Sequence, residues 1–189
     1  MYLFFDTETT GLPRNWKAPV TDLNNWPRMI QLAYFTTDNE GKNTGGGNFI
    51  IKPEGFTIPE DASKIHGITT ERALADGKDL LPVLWGFQAA IDQADFLVAH
   101  NMSFDEKIIG AEFLRSGMPD SLPGKKRICT MHSATDFCAI PGPYGNKWPK
   151  LAELHQKLFK KDFKEAHNAA ADVLATMNCF WELKRLGII

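Results

Sequence analysis

The chain has 189 residues, of which 43% are apolar and 23% charged, and its formal net charge is −2. That length suits one domain, 1–189, and leaves no room for a second catalytic one; the composition excludes a disordered, fibrous or membrane-embedded chain. The charge argues against a broad basic surface that grips duplex nucleic acid by its phosphates alone, although a protein that holds only a few nucleotides needs no positive balance.

In chain order, Met1 to Phe5 runs straight into Asp6. It has no basic segment or small-residue cleavage site, so it is not a signal peptide, and cytoplasmic residence is the expectation. Tyr2 to Phe5 reads as a strand, as does Met29 to Thr37, because both are rich in residues that suit a pleated, half-buried surface. Asp38 to Gly47 is a turn-forming series, and Asn48 to Lys52 is expected to be a third short strand. Leu81 to Ala94 has apolar residues at helical spacing with Pro82 in its first turn, where proline is tolerated. Phe96 to Ala99 reads as a buried strand, Phe104 to Arg115 as a helix closed by Gly117 and Pro119, and Arg127 to Thr130 as a short strand. Ile140 to Pro149 reads as a linker within the domain or a mobile loop beside a site, and Leu151 to Phe159 and Ala169 to Leu186 as helices. The longest apolar runs fall far short of the roughly 20 residues that cross a bilayer, so no membrane contact is expected. Cys129, Cys138 and Cys179 are too widely spaced for a disulfide framework or a zinc site built on close pairs, and are expected to be buried thiols.

A strand meander followed by alternating helices and strands predicts an α/β fold, with one mixed central sheet flanked by helices. Three segments of this fold carry chemistry. Asp6 and Glu8 alternate at the end of the first strand, so both project from one face and can share a cation. Thr9, Thr10 and Gly11 follow in a hydroxyl-rich turn whose backbone amides can approach a phosphate or a sugar. His100 to Asp105 follows a buried strand directly, at the carboxyl end where open α/β sheets bind their ligands; taken alone, Asp105 would be ascribed to the helix dipole. His167 and Asp172 bracket the entry to the final helix, with alanines between them that permit a close approach. A histidine beside metal-binding carboxylates is suited to take a proton from water near neutral pH.

These three segments, in this order, resemble the DEDD exonucleases of the histidine branch, similar to the proofreading epsilon subunits of bacterial DNA polymerase III. The resemblance rests on Phe4 to Gly11, His100 to Asp105 and His167 to Asp172, with His66, Gly67, Ile68 and Thr69 as a further matching stretch. Where the sister branch carries a tyrosine, four residues before the last aspartate, this chain has Asn168. The resemblance implies a ribonuclease H-like fold and two divalent cations, Mg2+ or Mn2+, held by Asp6, Glu8, Asp105 and Asp172, with His167 as general base. It further implies that Thr9, Leu12, His66 and Asn101 contact the terminal nucleotide. The expected activity is hydrolysis of single-stranded nucleic acid from its 3′ end, releasing nucleoside 5′-monophosphates, in proofreading or repair. DNA is favoured over RNA as substrate, with oligoribonuclease-like or ribonuclease T-like action on RNA the alternative and a non-catalytic nucleic-acid-binding domain a remote one. Ile189 follows the last helix directly, without the extension that tethers the epsilon subunit, so association with a polymerase is possible but not expected to use such a tether. Lys125, Lys126 and Arg127, and Lys157, Lys160, Lys161 and Lys164, are read first as solvated surface. Trp16 and Trp148 are read first as packing residues and second as platforms for bases.

Overall fold

The computed structural model describes residues 1–161 and 168–189. Its centre is β1 (Tyr2–Thr9), which lies between β2 (Met29–Thr37) and β4 (Phe96–Ala99). With β3 (Asn43–Ile50) and β5 (Lys126–Cys129) these form a five-stranded sheet in the order β3-β2-β1-β4-β5. Strand β2 runs antiparallel to both β1 and β3, while β4 and β5 run parallel to β1. This is the expected meander followed by crossovers. The crossover into β4 carries α1 (Glu60–His66), α2 (Thr70–Asp76) and α3 (Leu80–Gln93), and α4 (Met102–Arg115) links β4 to β5. Beyond β5 come the short helices α5 (Thr130–Ser133) and α6 (Thr135–Cys138), a small hairpin of β6 (Pro141–Gly142) and β7 (Gly145–Asn146), then α7 (Leu151–Phe159) and α8 (Ala169–Arg185).

The alternation of side chains along β1 sorts its residues between two cores. Leu3 and Phe5 pack with Leu84, Phe87 and Ile91 of α3 and with Ile108, Ile109 and Phe113 of α4. Tyr2 and Phe4 pack on the other face with Ala169, Val173 and Phe180 of α8. Edge-to-face ring pairs fix both contacts: Phe5 with Phe87 at 5.5 Å and Phe4 with Phe180 at 5.2 Å between centroids. Both faces are therefore sealed, and β1 reaches a third side only at its carboxyl end.

The third strand departs from expectation, spanning Asn43–Ile50 rather than Asn48 to Lys52. Gly45, Gly46 and Gly47 pair with β2 instead of forming part of a turn. A Cβ on Gly46 would stand 2.5 Å from the Tyr34 carbonyl oxygen, and one on Gly47 would stand 2.2 Å from the Phe49 ring. These glycines mark close approach within a strand, where glycine is otherwise disfavoured. The segment expected to be a linker, Ile140 to Pro149, contains the β6–β7 hairpin. Among the described residues, no helix is long and apolar enough to cross a membrane. Cys138 and Cys179 are buried thiols and Cys129 is a partly exposed one.

Candidate active site

The alternation that puts Tyr2 and Phe4 against α8 continues to Asp6 and Glu8, still paired in the sheet opposite Ala33 and Gln31. At this level the facing residues are those at the start of α8. Ala169 is fully buried and its amide donates to Gln31 Oε1 at 3.4 Å, so the helix begins tight against the sheet. Asn168 caps it, its side-chain oxygen accepting from the Ala170 amide at 3.1 Å. Asp172, in the first turn, consequently meets the two strand carboxylates. Asp6, Glu8 and Asp172 each offer an oxygen within 4.8 Å of the others.

The fourth carboxylate arrives from the opposite side. Asn101 adopts the left-handed conformation (φ 72°) between β4 and α4, a geometry that asparagine tolerates better than most residues. It turns the chain so that Asp105 falls in the first helical turn, with 2% of its surface exposed. Thr7, on the α4 side of β1, holds it: the Thr7 amide donates to Asp105 Oδ1 at 3.0 Å and the Thr7 hydroxyl donates to the same oxygen at 2.8 Å.

The electrostatic consequence is severe. Burial, then the charges of Asp105, Asp172 and Glu8, raise the Asp6 carboxyl well above its ordinary range. Burial, followed by Asp172 and Asp105, pushes Glu8 up to about 8. Asp105 rises to about 7 chiefly through burial, although the two hydrogen bonds from Thr7 oppose the shift. Like charges crowded out of water favour the protonated form unless a cation compensates them. All four carboxylates line one open cavity of about 600 Å³, together with Leu12, Trp16, Asn101, Trp148 and Lys150.

His100 supports the far wall. Its Nε2 lies 3.0 Å from the Pro149 carbonyl oxygen and its Nδ1 lies 2.9 Å from the Thr130 hydroxyl. A carbonyl can only accept, so the ring proton sits on Nε2 and the threonine donates to Nδ1. Burial lowers the imidazole to about 4, so it remains neutral at working pH and the tautomer is fixed.

Of the residues singled out from sequence, Asp6, Glu8, Asp105, Asp172, Leu12 and Asn101 share this cavity. Thr9 and His66 are not among its lining residues: the Thr9 hydroxyl donates to the Gly11 carbonyl at 2.6 Å, and His66 Nδ1 accepts from the Ile68 amide at 3.1 Å. His167 lies outside the described residues. Thr7 and the anchoring role of His100 were not anticipated; alternation along the strand sets the Thr7 hydroxyl on the face opposite Asp6 and Glu8 but carries no sign of the carboxylate it holds.

The model of a family described as exonuclease, the RNase T type, matches residues 3–180. The chain belongs to this exonuclease family. Among the chain's relatives is human three-prime repair exonuclease 1, 27% identical over 209 residues that span 97% of the chain and 64% of the human protein. Another is the PolC-type DNA polymerase III of Lactococcus lactis, 33% identical over 118 residues, or 62% of the chain and 6% of the polymerase. In fold, the chain is similar to Escherichia coli Exonuclease I solved with a dA16 oligonucleotide, at TM-score 0.76 and 23% identity. That match covers 97% of this chain and 40% of the other, so the chain spans only part of each of these proteins. The likeness identifies the sheet and its helices as a ribonuclease H-like fold. The DEDD exonucleases use divalent metal ions, and the donor set here fits such ions: hard carboxylate oxygens, converging, with a proton affinity that shows unmet demand for positive charge.

Proposed function

We propose that this chain hydrolyses single-stranded DNA from the 3′ end, one nucleoside 5′-monophosphate at a time, in proofreading or repair. The observation that carries the reading is the convergence of Asp6, Glu8 and Asp172 within 4.8 Å, with buried Asp105 lining the same cavity. A structural domain has no need to crowd carboxylates in this way, and such perturbed groups cluster at functional sites. In this reading the four carboxylates hold two divalent cations, Mg2+ or Mn2+. When bound, a pair of such ions supplies Lewis-acid stabilisation for in-line displacement at phosphorus.

The chain's own groups do the rest. Thr7 fixes the orientation of Asp105 through two hydrogen bonds. Asp6 and Glu8, on a central strand with both faces packed, keep their spacing without the side-chain reorganisation that a loop would require. His167, five residues before Asp172 in sequence, takes the proton from the attacking water; the histidine branch of the DEDD family rests on this residue. Leu12, exposed over 72% of its surface at the cavity, packs against the terminal base; Asn101, Thr9 and His66 are the remaining contacts assigned to the terminal nucleotide.

DNA is the favoured substrate. The human relative is named as a repair exonuclease, and the bacterial fold relatives were solved with single-stranded DNA, one of them in a zinc-bound form. The polymerase relative makes a polymerase partner the natural one to seek by co-purification.

The decisive experiment digests 5′-labelled DNA and RNA oligomers of matched sequence with Mg2+ or Mn2+. A ladder shortening from the 3′ end, faster on DNA, is expected; faster cleavage of RNA would move the assignment to RNA. Asp6→Asn and Asp172→Asn should reduce the ladder to background, and retained activity in either would overturn the assignment of these carboxylates. His167→Ala should lower kcat by about 10²- to 10⁴-fold while the Mg2+ concentration for half-maximal rate changes little. A variant that instead loses metal would make His167 a ligand.

A further inference from the structure

Of the chain's five tryptophans, Trp85 is exposed on α3 and is not among the residues that line the carboxylate cavity, and the other four divide into two kinds. Trp26 is buried and its indole nitrogen donates to the Pro19 carbonyl at 3.0 Å, while Trp181 packs in a ring cluster with Tyr2, Phe4 and Phe180. These are packing residues. Trp16 and Trp148 are exposed over 49% and 63% of their surfaces, yet both line the cavity that holds the carboxylates.

Neither ring is loosely held. Trp16 rests against Phe104 at 5.6 Å between centroids, and its backbone is pinned by Lys107, whose ammonium donates to the carbonyls of Trp16 and Ala18 at 3.1 and 3.2 Å. Trp148 leans on His132 at 4.9 Å. The next carbonyl, of Pro149, accepts from His100, and the Lys150 amide donates to Glu153 at 2.8 Å where α7 begins. Large apolar surface left in water beside a charged centre, and braced from behind, has the character of a binding surface.

We propose that Trp148 and Trp16 are base-stacking walls of the cleft. They take the faces of unpaired nucleobases in the strand that brings its 3′ end to the carboxylates. The inference rests on the function proposed above and adds the means of strand selection. Stacking uses the π-face that every base possesses, so it is tolerant of sequence. That face is available only where the base has left its own helical stack, so a paired end is disfavoured. Because the rings are braced before substrate arrives, little ordering entropy is lost on binding.

The test combines protein and substrate truncations. Hydrolysis of 5′-labelled oligothymidine is followed for the native chain, Trp148→Ala, Trp148→Phe and Trp16→Ala. A parallel series of oligomers carries a single abasic site at successive positions near the 3′ end. Each alanine variant should raise KM by roughly 5- to 100-fold, the range of one base–aromatic stack, with a much smaller change in kcat. Trp148→Phe should recover most of the loss, which a merely structural role for the indole would not allow. An abasic site at the stacked position should penalise the native chain by a similar factor and Trp148→Ala hardly at all. An unchanged KM in both alanine variants would overturn the proposal, as would an abasic penalty that persists undiminished in them. A blunt duplex degraded as fast as the single strand would also overturn it. Fluorescence anisotropy of the labelled oligomer, measured in the Asp6→Asn background with and without Trp148→Ala, separates the two readings. If no variant hydrolyses DNA, the proposed function fails, and the anisotropy still reports whether Trp148 holds the strand.

Discussion

Thr7 shows how a single side chain conditions the site by holding one of its carboxylates. Its hydroxyl and amide both reach Asp105 Oδ1, so one carboxylate oxygen is committed to the protein. Thr7→Val keeps the shape and the amide but removes the hydroxyl donor. Partners of this kind typically contribute 10- to 100-fold to metal affinity or activity, so the Mg2+ titration of hydrolysis should shift by about tenfold or more, and Thr7→Ser should recover it. A titration unchanged in Thr7→Val would mean that the amide alone suffices. Asp6 and Glu8 were legible from sequence because strand alternation is a strict local rule, and Asp172 because alanines beside it open a helix that can approach closely; Asp105, which alone would be ascribed to the helix dipole, was drawn in only by the ordered resemblance of the three segments. Thr7 was not singled out, because its partner lies 98 residues away and nothing local distinguishes a structural hydroxyl from one holding a carboxylate. The same limit applied to Trp148, whose sequence context fits packing as well as stacking until the cavity gives it a place.

Among the elements, α4 is tied to the start of β2 by a buried ionic cluster as well as by packing. Glu112, fully buried, accepts at one oxygen from Arg28 Nε at 2.8 Å, the Met29 amide at 3.0 Å and Arg115 Nη1 at 3.0 Å. Arg115 in turn donates to the carbonyls of Leu23 and Trp26. Glu112→Ala leaves two guanidinium groups without their common anion, and removing one partner of a buried pair costs about 3 to 5 kcal/mol. Urea unfolding should register that loss, and a value below about 1 kcal/mol would show that water replaces the carboxylate. Gly77 poses a different constraint: a Cβ there would lie 2.2 Å from the Ala73 carbonyl oxygen and 2.7 Å from the Lys52 amide nitrogen, both backbone atoms. Gly77→Ala should therefore destabilise by about 1 to 3 kcal/mol, the usual range for overpacking, although the glycine's φ of −69° suits alanine. The long periodic elements could be read in advance because α3, α4 and α8 show their buried stripes over three or more turns. The four-residue helices α5 and α6 are too short to show a period, and the glycines of β3 mimic a turn because glycine is disfavoured inside strands and common in turns.

At the scale of the whole molecule, the crowded carboxylates set how folding stability responds to pH. In the unfolded chain, Glu8 and Asp105 lose their protons near their ordinary values of 4.5 and 3.8, whereas in the folded, metal-free protein they hold them up to about 8 and about 7. Asp6 is shifted in the same direction. Between those limits the folded state binds more protons than the unfolded state, so the stability of the metal-free protein falls as pH rises. His100 acts oppositely. It is lowered from 6.5 to about 4, so it favours the folded state increasingly as pH climbs through that range, and its contribution is nearly complete above pH 7. Urea unfolding in EDTA between about pH 6.5 and 8.5 therefore isolates the carboxylates, with His100 slightly masking the fall at the lower end. Mg2+ at about 100 times its dissociation constant should add about 2.7 kcal/mol. Its affinity should rise with pH, because ligand carboxylates must shed their protons to bind, so Mg2+ should flatten the slope. Glu8→Gln combined with Asp105→Asn should flatten it without metal. A metal-free protein equally stable across this window would mean that the carboxylates are already ionised when the site forms, and the electrostatic strain ascribed to their convergence would then have to be relieved by groups other than a bound cation.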